Sequence, residues 1–198
     1  MKYLKIFERF NYKLSFNNED DLIIKLKEYS IPIEEWGQGQ AKNVRSLLNE
    51  VIEKESILIE DKGYLVRYIE FVGIRIYYRD KNNEKFTLIE HEQIFKDGRK
   101  RKRNMPSSVS EKMKFGEDPS IAAIRGIEEE LGIIINESQL IKRRTLDYDG
   151  GSMSYPGLKT KYKGHQYTCF LTKEQFNPDG YVEEQEDKST FFKWIKNQ

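Results

Sequence analysis

The sequence predicts a mixed α+β fold on three observations: two short stretches of helical periodicity near the start, a succession of β-branched and aromatic runs from Ile57 onward, and one strongly capped helix set among those runs. At 17–21 a polar, acidic cluster can begin a helix. Leu22, Ile23, Leu26 and Tyr29 then recur at helical spacing until Ile31-Pro32 ends it. After Trp36-Gly37-Gln38-Gly39, Val44, Leu47, Leu48, Val51 and Ile52 line one face of a second helix that runs to about Glu55. Residues 1–56 therefore read as a small, mostly helical module, and Trp36 as part of a packed turn between its helices. From there strands are expected at 56–60, 64–78, 86–95, 140–147, 162–171 and 190–195. Asp61-Lys62-Gly63, Asp149-Gly150-Gly151 and Asn177-Pro178-Asp179-Gly180 mark the turns between them.

Composition narrows the function. Of 198 residues 34% are charged, yet the formal net charge is +1, so opposite charges are interleaved and a general polyanion binder is excluded. The single Cys169 rules out an internal disulfide framework, and two histidines, His91 and His165, cannot build a thiolate or imidazole zinc centre. Any metal is expected to be a hard, oxygen-bound one. Lys2, Lys5, Glu8 and Arg9 interrupt the first ten residues, and no later stretch has the apolar length of a membrane span. A soluble, intracellular and cytoplasmic protein is the expectation.

The capped helix carries the chemistry. In Gly116-Glu117-Asp118-Pro119-Ser120-Ile121-Ala122-Ala123-Ile124-Arg125-Gly126-Ile127-Glu128-Glu129-Glu130-Leu131-Gly132-Ile133, Asp118 suits the N-cap. Pro119 suits the first helical position, and Gly132 the left-handed residue just past the end. Ile121, Ile124, Ile127 and Leu131 are expected to face a sheet, with Ala122, Arg125, Gly126, Glu129 and Glu130 on or near the other side. The adjacent carboxylates of Glu129 and Glu130 then project from the core. With other oxygen donors, such a pair can hold Mg2+ or Mn2+ against substrate phosphates.

This stretch resembles the signature of the Nudix hydrolase family: a Gly, five residues, a Glu, seven residues, then Arg-Glu-U-x-Glu-Glu-x-Gly-U with U bulky and apolar. Glu117, Arg125, Ile127, Glu129, Glu130, Gly132 and Ile133 fall on its positions. The resemblance implies an α/β/α sandwich with a mixed sheet over 57–198, and divalent-metal-dependent hydrolysis of a nucleoside diphosphate linked to another moiety. It gives Glu129 and Glu130 the metal and catalytic roles, and leaves Glu117, Arg125 and Gly132 to brace the loop and helix. A Nudix-fold module that binds a nucleotide or RNA with weakened catalysis is the alternative.

Two positions depart from the signature: Glu111 stands where its leading Gly belongs, and Gly126 stands where a Glu should follow the Arg. Gly126 lies on the same helical stripe as Glu129 and Glu130, and a glycine inside a helix costs about 1 kcal/mol relative to alanine. Either the site has drifted after losing activity, or it needs room for a bulky ligand or for a carboxylate brought from elsewhere. Glu128 points a quarter-turn or more away, so Glu111 is the better candidate for a third metal ligand.

Outside the helix, the basic run at 99–103 offers Arg99, Arg101 and Arg103 to substrate phosphates or an RNA backbone, and equally fits a solvated hairpin tip. Its composition is also a weak nuclear-targeting pattern. Tyr155 and Tyr162 flank a Pro-Gly turn and can form a rim for a base or sugar, or simply cap the sheet. His165 reads as structural. Nudix enzymes commonly draw a general base or extra metal ligand from a remote loop. Among Glu183, Glu184 and Glu186, which precede Phe191-Phe192-Lys193-Trp194, Glu184 is taken for that part.

Overall fold

The computed structural model describes residues 13–103, 105 and 107–197. Helix α1 (Glu19–Glu28), a 3-10 turn (Ile33–Glu35) and α2 (Val44–Ile52) come first. Strands β1 (Ile57–Asp61), β2 (Tyr64–Arg79), β3 (Lys85–Phe95), β4 (Lys100–Arg101) and β5 (Val109–Lys112) precede α3 (Pro119–Leu131). A second 3-10 turn (Glu137–Gln139) leads to β6 (Leu140–Gly151), β7 (Lys159–Phe170), β8 (Tyr181–Glu184) and β9 (Lys188–Lys196). The described strands form one sheet ordered β6-β7-β2-β3-β9-β8, with β1 and β5 also on β2 and β4 on β3. The expected α+β class is the one observed. The short strands β4, β5 and β8 were not anticipated, because two to four residues carry too little alternation to register as a pattern.

The chain divides into two compact units. One comprises the chain up to Glu70 with Met113–Gly116 and Leu146–Lys163. Its helices start where asparagine side chains accept backbone N–H groups: Asn18 from Asp21 at 2.9 Å, and Asn43 from Ser46 at 2.8 Å. Each cap satisfies a donor that the helix leaves open. Leu22, Leu26, Leu47, Leu48, Leu58 and Leu65 bury themselves together, and Trp36 joins them while donating its indole N–H to the Pro156 carbonyl at 2.9 Å. An ion pair between Arg67 and Glu50 is buried in this unit. The Arg67 guanidinium bonds Glu50 and donates to the Ser56 hydroxyl at 3.0 Å, and Ser56 donates to Glu50 at 2.9 Å.

The other unit comprises Phe71–Lys112, Glu117–Thr145 and the chain from Gly164 on. Here β5 pairs antiparallel with β2, Glu111 opposite Val72 and Val109 opposite Ile74. Residues directly opposite share a face, so Glu111 and Val109 face the same way as Val72, Ile74 and Ile76. Helix α3 packs on β5 and β8. Strand β9 lies between β3 and β8, with Thr190 opposite both Gln93 and Glu183, and Phe192 opposite both Glu90 and Tyr181.

Removing one partner of a buried ion pair leaves the other charged and desolvated. Glu50→Ala is expected to cost about 3–5 kcal/mol in denaturant-induced unfolding. Glu84→Ala, which breaks the exposed pair with Lys196 at 2.6 Å, is expected to cost less than about 1 kcal/mol in the same measurement.

Candidate functional site

Helix α3 begins and ends as its sequence dictates. Asp118 accepts the Ser120 N–H at 2.8 Å and the Ser120 hydroxyl at 2.7 Å, and these bonds hold its carboxyl below the usual range. Pro119 fills the first position, and Gly132, at φ +66°, donates its N–H to the Glu128 carbonyl at 2.8 Å. The buried side is a correction to the sequence reading. Ile121 is 54% exposed, while Ala122, Ala123, Gly126, Ile127 and Leu131 are buried. Small residues line the packed face, and they let α3 approach β5 more closely than an isoleucine row allows.

That rotation separates the two glutamates, since consecutive helical residues point about 100° apart. Glu129 stays in solvent and takes Arg125 Nη1 at 3.2 Å. Glu130 turns inward and does not project from the core. Burial, and after it the charges of Glu183, Glu111 and Glu90, push its carboxyl up to about 8, against a lowering bond from the Ser110 N–H.

Arg125 is the hub of the site. It grips Glu117 with two bonds of 3.1 Å, takes Glu111 Oε1 at 2.9 Å through Nη1, and donates to the Lys112 carbonyl at 2.9 Å. Glu117, then Glu111, raise its basicity further. Opposite stands buried Glu90 of β3, held by both Nε (2.8 Å) and Nη2 of Arg103. The charges of Glu130 and Glu183 also act on Arg103. The charges of three carboxylates, Glu90 on β3, Glu111 on β5 and Glu183 on β8, thus act on Glu130, with one arginine at Glu90 and one at Glu111.

Of the residues singled out in the sequence, the structure brings together Glu130, Glu111, Glu117, Arg125 and Arg103, with Glu129 joined through Arg125. Glu184 lies elsewhere: it is exposed and accepts the Ser189 hydroxyl at 2.6 Å. Strand alternation instead turns Glu183 toward the face of Thr190 and Gln93, and it is Glu183 whose charge reaches Glu130. Arg99 is engaged with Asp97 at 2.6 Å and lies over the Phe95 ring, and Arg101 is exposed on β4.

Tyr155 is wholly buried, 5.1 Å from the Trp36 ring and 4.8 Å from the Arg67 guanidinium, so it is a core residue and offers no rim to a ligand. Tyr162 stacks on Tyr148 at 4.9 Å. Both tyrosines belong to the first unit and the carboxylates to the second. His165 is buried in the second unit, 3.4 Å from the Thr145 hydroxyl, as a structural residue would be. Burial pushes the Cys169 thiol up to about 12, which removes it as a nucleophile.

Sequence reasoning missed Glu90 and Thr190, and weighed Glu183 but chose Glu184. A glutamate in the middle of the apolar run 86–95 was the available signal for the first. Thr190 is buried, and its hydroxyl has no hydrogen-bond partner among the described residues.

Among the described residues no three of His, Cys, Asp and Glu stand close enough to form a ready-made metal cage. No described helix is long and apolar enough to cross a membrane.

No protein-family model matches the chain, and no curated protein matches it. Solved structures to which it is similar include the C. elegans Ap4A hydrolase, at 20% identity over 65% of this chain and 80% of that one, with a TM-score of 0.35. A MutT/nudix family protein from Enterococcus faecalis matches at 13% identity over 92% of this chain and 57% of its own, with a TM-score of 0.44. The T. brucei MERS1 protein in its RNA complex matches at 20% identity over 65% of this chain and 51% of its own, with a TM-score of 0.37. At such identity and overlap, function has to be argued from the side chains themselves.

Glu130 supplies a pH test. Its folded-state carboxyl titrates near 8 against 4.5 when unperturbed, so the folded state binds the extra proton. That contribution to stability is fully present below 4.5 and is lost as pH rises through about 8. Glu130→Gln, uncharged throughout, is expected to match wild type in chelator-treated unfolding at about pH 4 and to exceed it at about pH 9. Equal stability of the two proteins at the higher pH would refute the assignment.

Proposed function

We propose that this chain is a divalent-metal-dependent hydrolase of the Nudix type, acting on the diphosphate bond of a nucleoside diphosphate linked to another moiety. In this reading residues 57–198 carry the chemistry and 1–56 form an added helical module. The observation that carries it is Glu130: a half-buried carboxylate within reach of the charges of Glu183, Glu111 and Glu90, on a helix whose Arg125 is clamped by Glu117.

The donors suit Mg2+ or Mn2+, because all are hard oxygens and the unpartnered Thr190 hydroxyl stands beside Glu183 on β9. No three carboxylates are gathered in advance among the described residues, so we assign the ion to Glu130 and Glu111, with Glu129 joining them once it leaves Arg125; when bound, the ion would supply Lewis acidity and a more acidic water. Arg125 orients Glu111 and Glu129 from one guanidinium nitrogen. Arg103 has a forked guanidinium beside Glu130 and can exchange Glu90 for substrate phosphate oxygens, with Arg99 and Arg101 on the exposed hairpin as outlying charges. Glu183 takes the proton-accepting part first given to Glu184.

A second reading, a module that binds a nucleotide or RNA without turnover, is favoured by one observation. Arg103 pairs with Glu90, and Arg125 pairs with both Glu111 and Glu129, so these carboxylates have protein cations as partners.

A panel of nucleoside diphosphate derivatives with Mg2+ or Mn2+ separates the two. Hydrolysis predicts release of phosphate or a nucleoside monophosphate from some member, reduced by at least about 100-fold in Glu130→Gln. Saturable nucleotide or RNA binding by a folded protein that releases nothing with either metal would establish the second reading instead.

A further inference from the structure

We infer that Gly126 and Glu111 are one exchanged unit: β5 delivers the carboxylate that serves the site of Glu130, and Gly126 is the clearance that admits it. This inference rests on the metal-dependent reading above and concerns which element of the chain supplies the oxygen.

The backbone does not need a glycine at 126. Its φ is not left-handed, unlike that of Gly132 at the helix end, so any residue could adopt the conformation. Space is what it provides. A Cβ at 126 would stand 2.7 Å from Glu111 Cβ, 3.1 Å from Glu111 Cγ and 3.5 Å from Val109 Cγ1. The first of these is the root of the Glu111 side chain, so turning the side chain to another rotamer cannot relieve the clash. Helix and strand are therefore in contact at this point, and only one of them can carry a side chain into the gap.

The strand carries it. Alternation on β5 points Glu111 and Val109 at α3, and the Glu111 carboxylate reaches Arg125 Nη1 at 2.9 Å, the nitrogen that also holds Glu129. A glutamate at 126 would enter the same gap from the helix. On this geometry, restoring a carboxylate at 126 breaks the site unless Glu111 is withdrawn at the same time. Gly126 is thus a requirement of Glu111, and the two departures from the signature count as one.

The test combines thermal unfolding with Mn2+ titration of the full chain. Gly126→Ala and Gly126→Glu are each expected to lower the unfolding midpoint. Adding Glu111→Gly to Gly126→Ala should restore the midpoint, whereas adding Glu111→Ala should not, because the offending Cβ remains. Glu111→Gln should keep the wild-type midpoint and weaken Mn2+ binding at least about tenfold. The exchanged protein, Glu111→Gly with Gly126→Glu, should bind Mn2+ more tightly than Glu111→Gly alone. A Gly126→Ala protein as stable as wild type overturns the inference, as does an exchanged protein that binds Mn2+ no better than Glu111→Gly. If the wild type takes up no Mn2+, the metal reading itself falls. The rescue of Gly126→Ala by Glu111→Gly then still decides whether the two residues form a unit.

Discussion

A single guanidinium sets the geometry on which the candidate site depends. Arg125 reaches from α3 to Glu117 just before the helix, to the Glu111 carboxylate and to the Lys112 carbonyl on β5, and it binds Glu129 on its own helix. Five donors in a rigid plane allow one side chain to do this where a lysine could not. Because the bonds converge on one nitrogen plane, α3 and β5 are held in contact. Everything that follows at Gly126 and Glu130 is a consequence of that contact.

Close approach turns Glu130 inward and leaves Glu129 outside. Burial first, and the like charges of Glu183, Glu111 and Glu90 after it, keep the inward carboxyl protonated near neutrality. Arg103 and Arg125 temper the cluster by pairing with Glu90 and Glu111. A group of this kind costs folding stability at high pH and rewards whatever brings positive charge to it. Stability and the proposed chemistry are thereby linked through one residue.

The helix-bearing segment was legible because its signals are local. Asp118, Pro119 and Gly132 announce the ends of α3 through the conformations those residues favour, and the structure places all three as expected. The spacing from Glu117 to Arg125 likewise produced a real contact. Ile121 misled, since hydrophobicity names which residues prefer burial while the packed face is chosen by which residues permit close contact. Glu183 and Glu184 could not be told apart locally: in a strand of four residues, face can be read only from the partner strand, and the register of β8 on β9 puts Glu183 opposite Thr190 and Glu184 opposite Ser189. Tyr155 looked like a loop aromatic. Its Pro-Gly surroundings gave no sign that Trp36 and Arg67, each more than eighty residues earlier, enclose it.

By itself, then, the sequence determined the α+β class, the ends of α3, the Glu117–Arg125 brace and the suspicion that Glu111 compensates for Gly126. Each of these follows from short-range backbone preference or from residue identity at fixed spacing. Tertiary structure alone decided which glutamate of the pair turns inward, and that the charges of Glu90 and Glu183 reach it. It also placed the Glu111 side chain where a Cβ at 126 would stand. Those facts depend on the distance between a helix and three strands that are far apart in the chain, and no local pattern encodes such a distance.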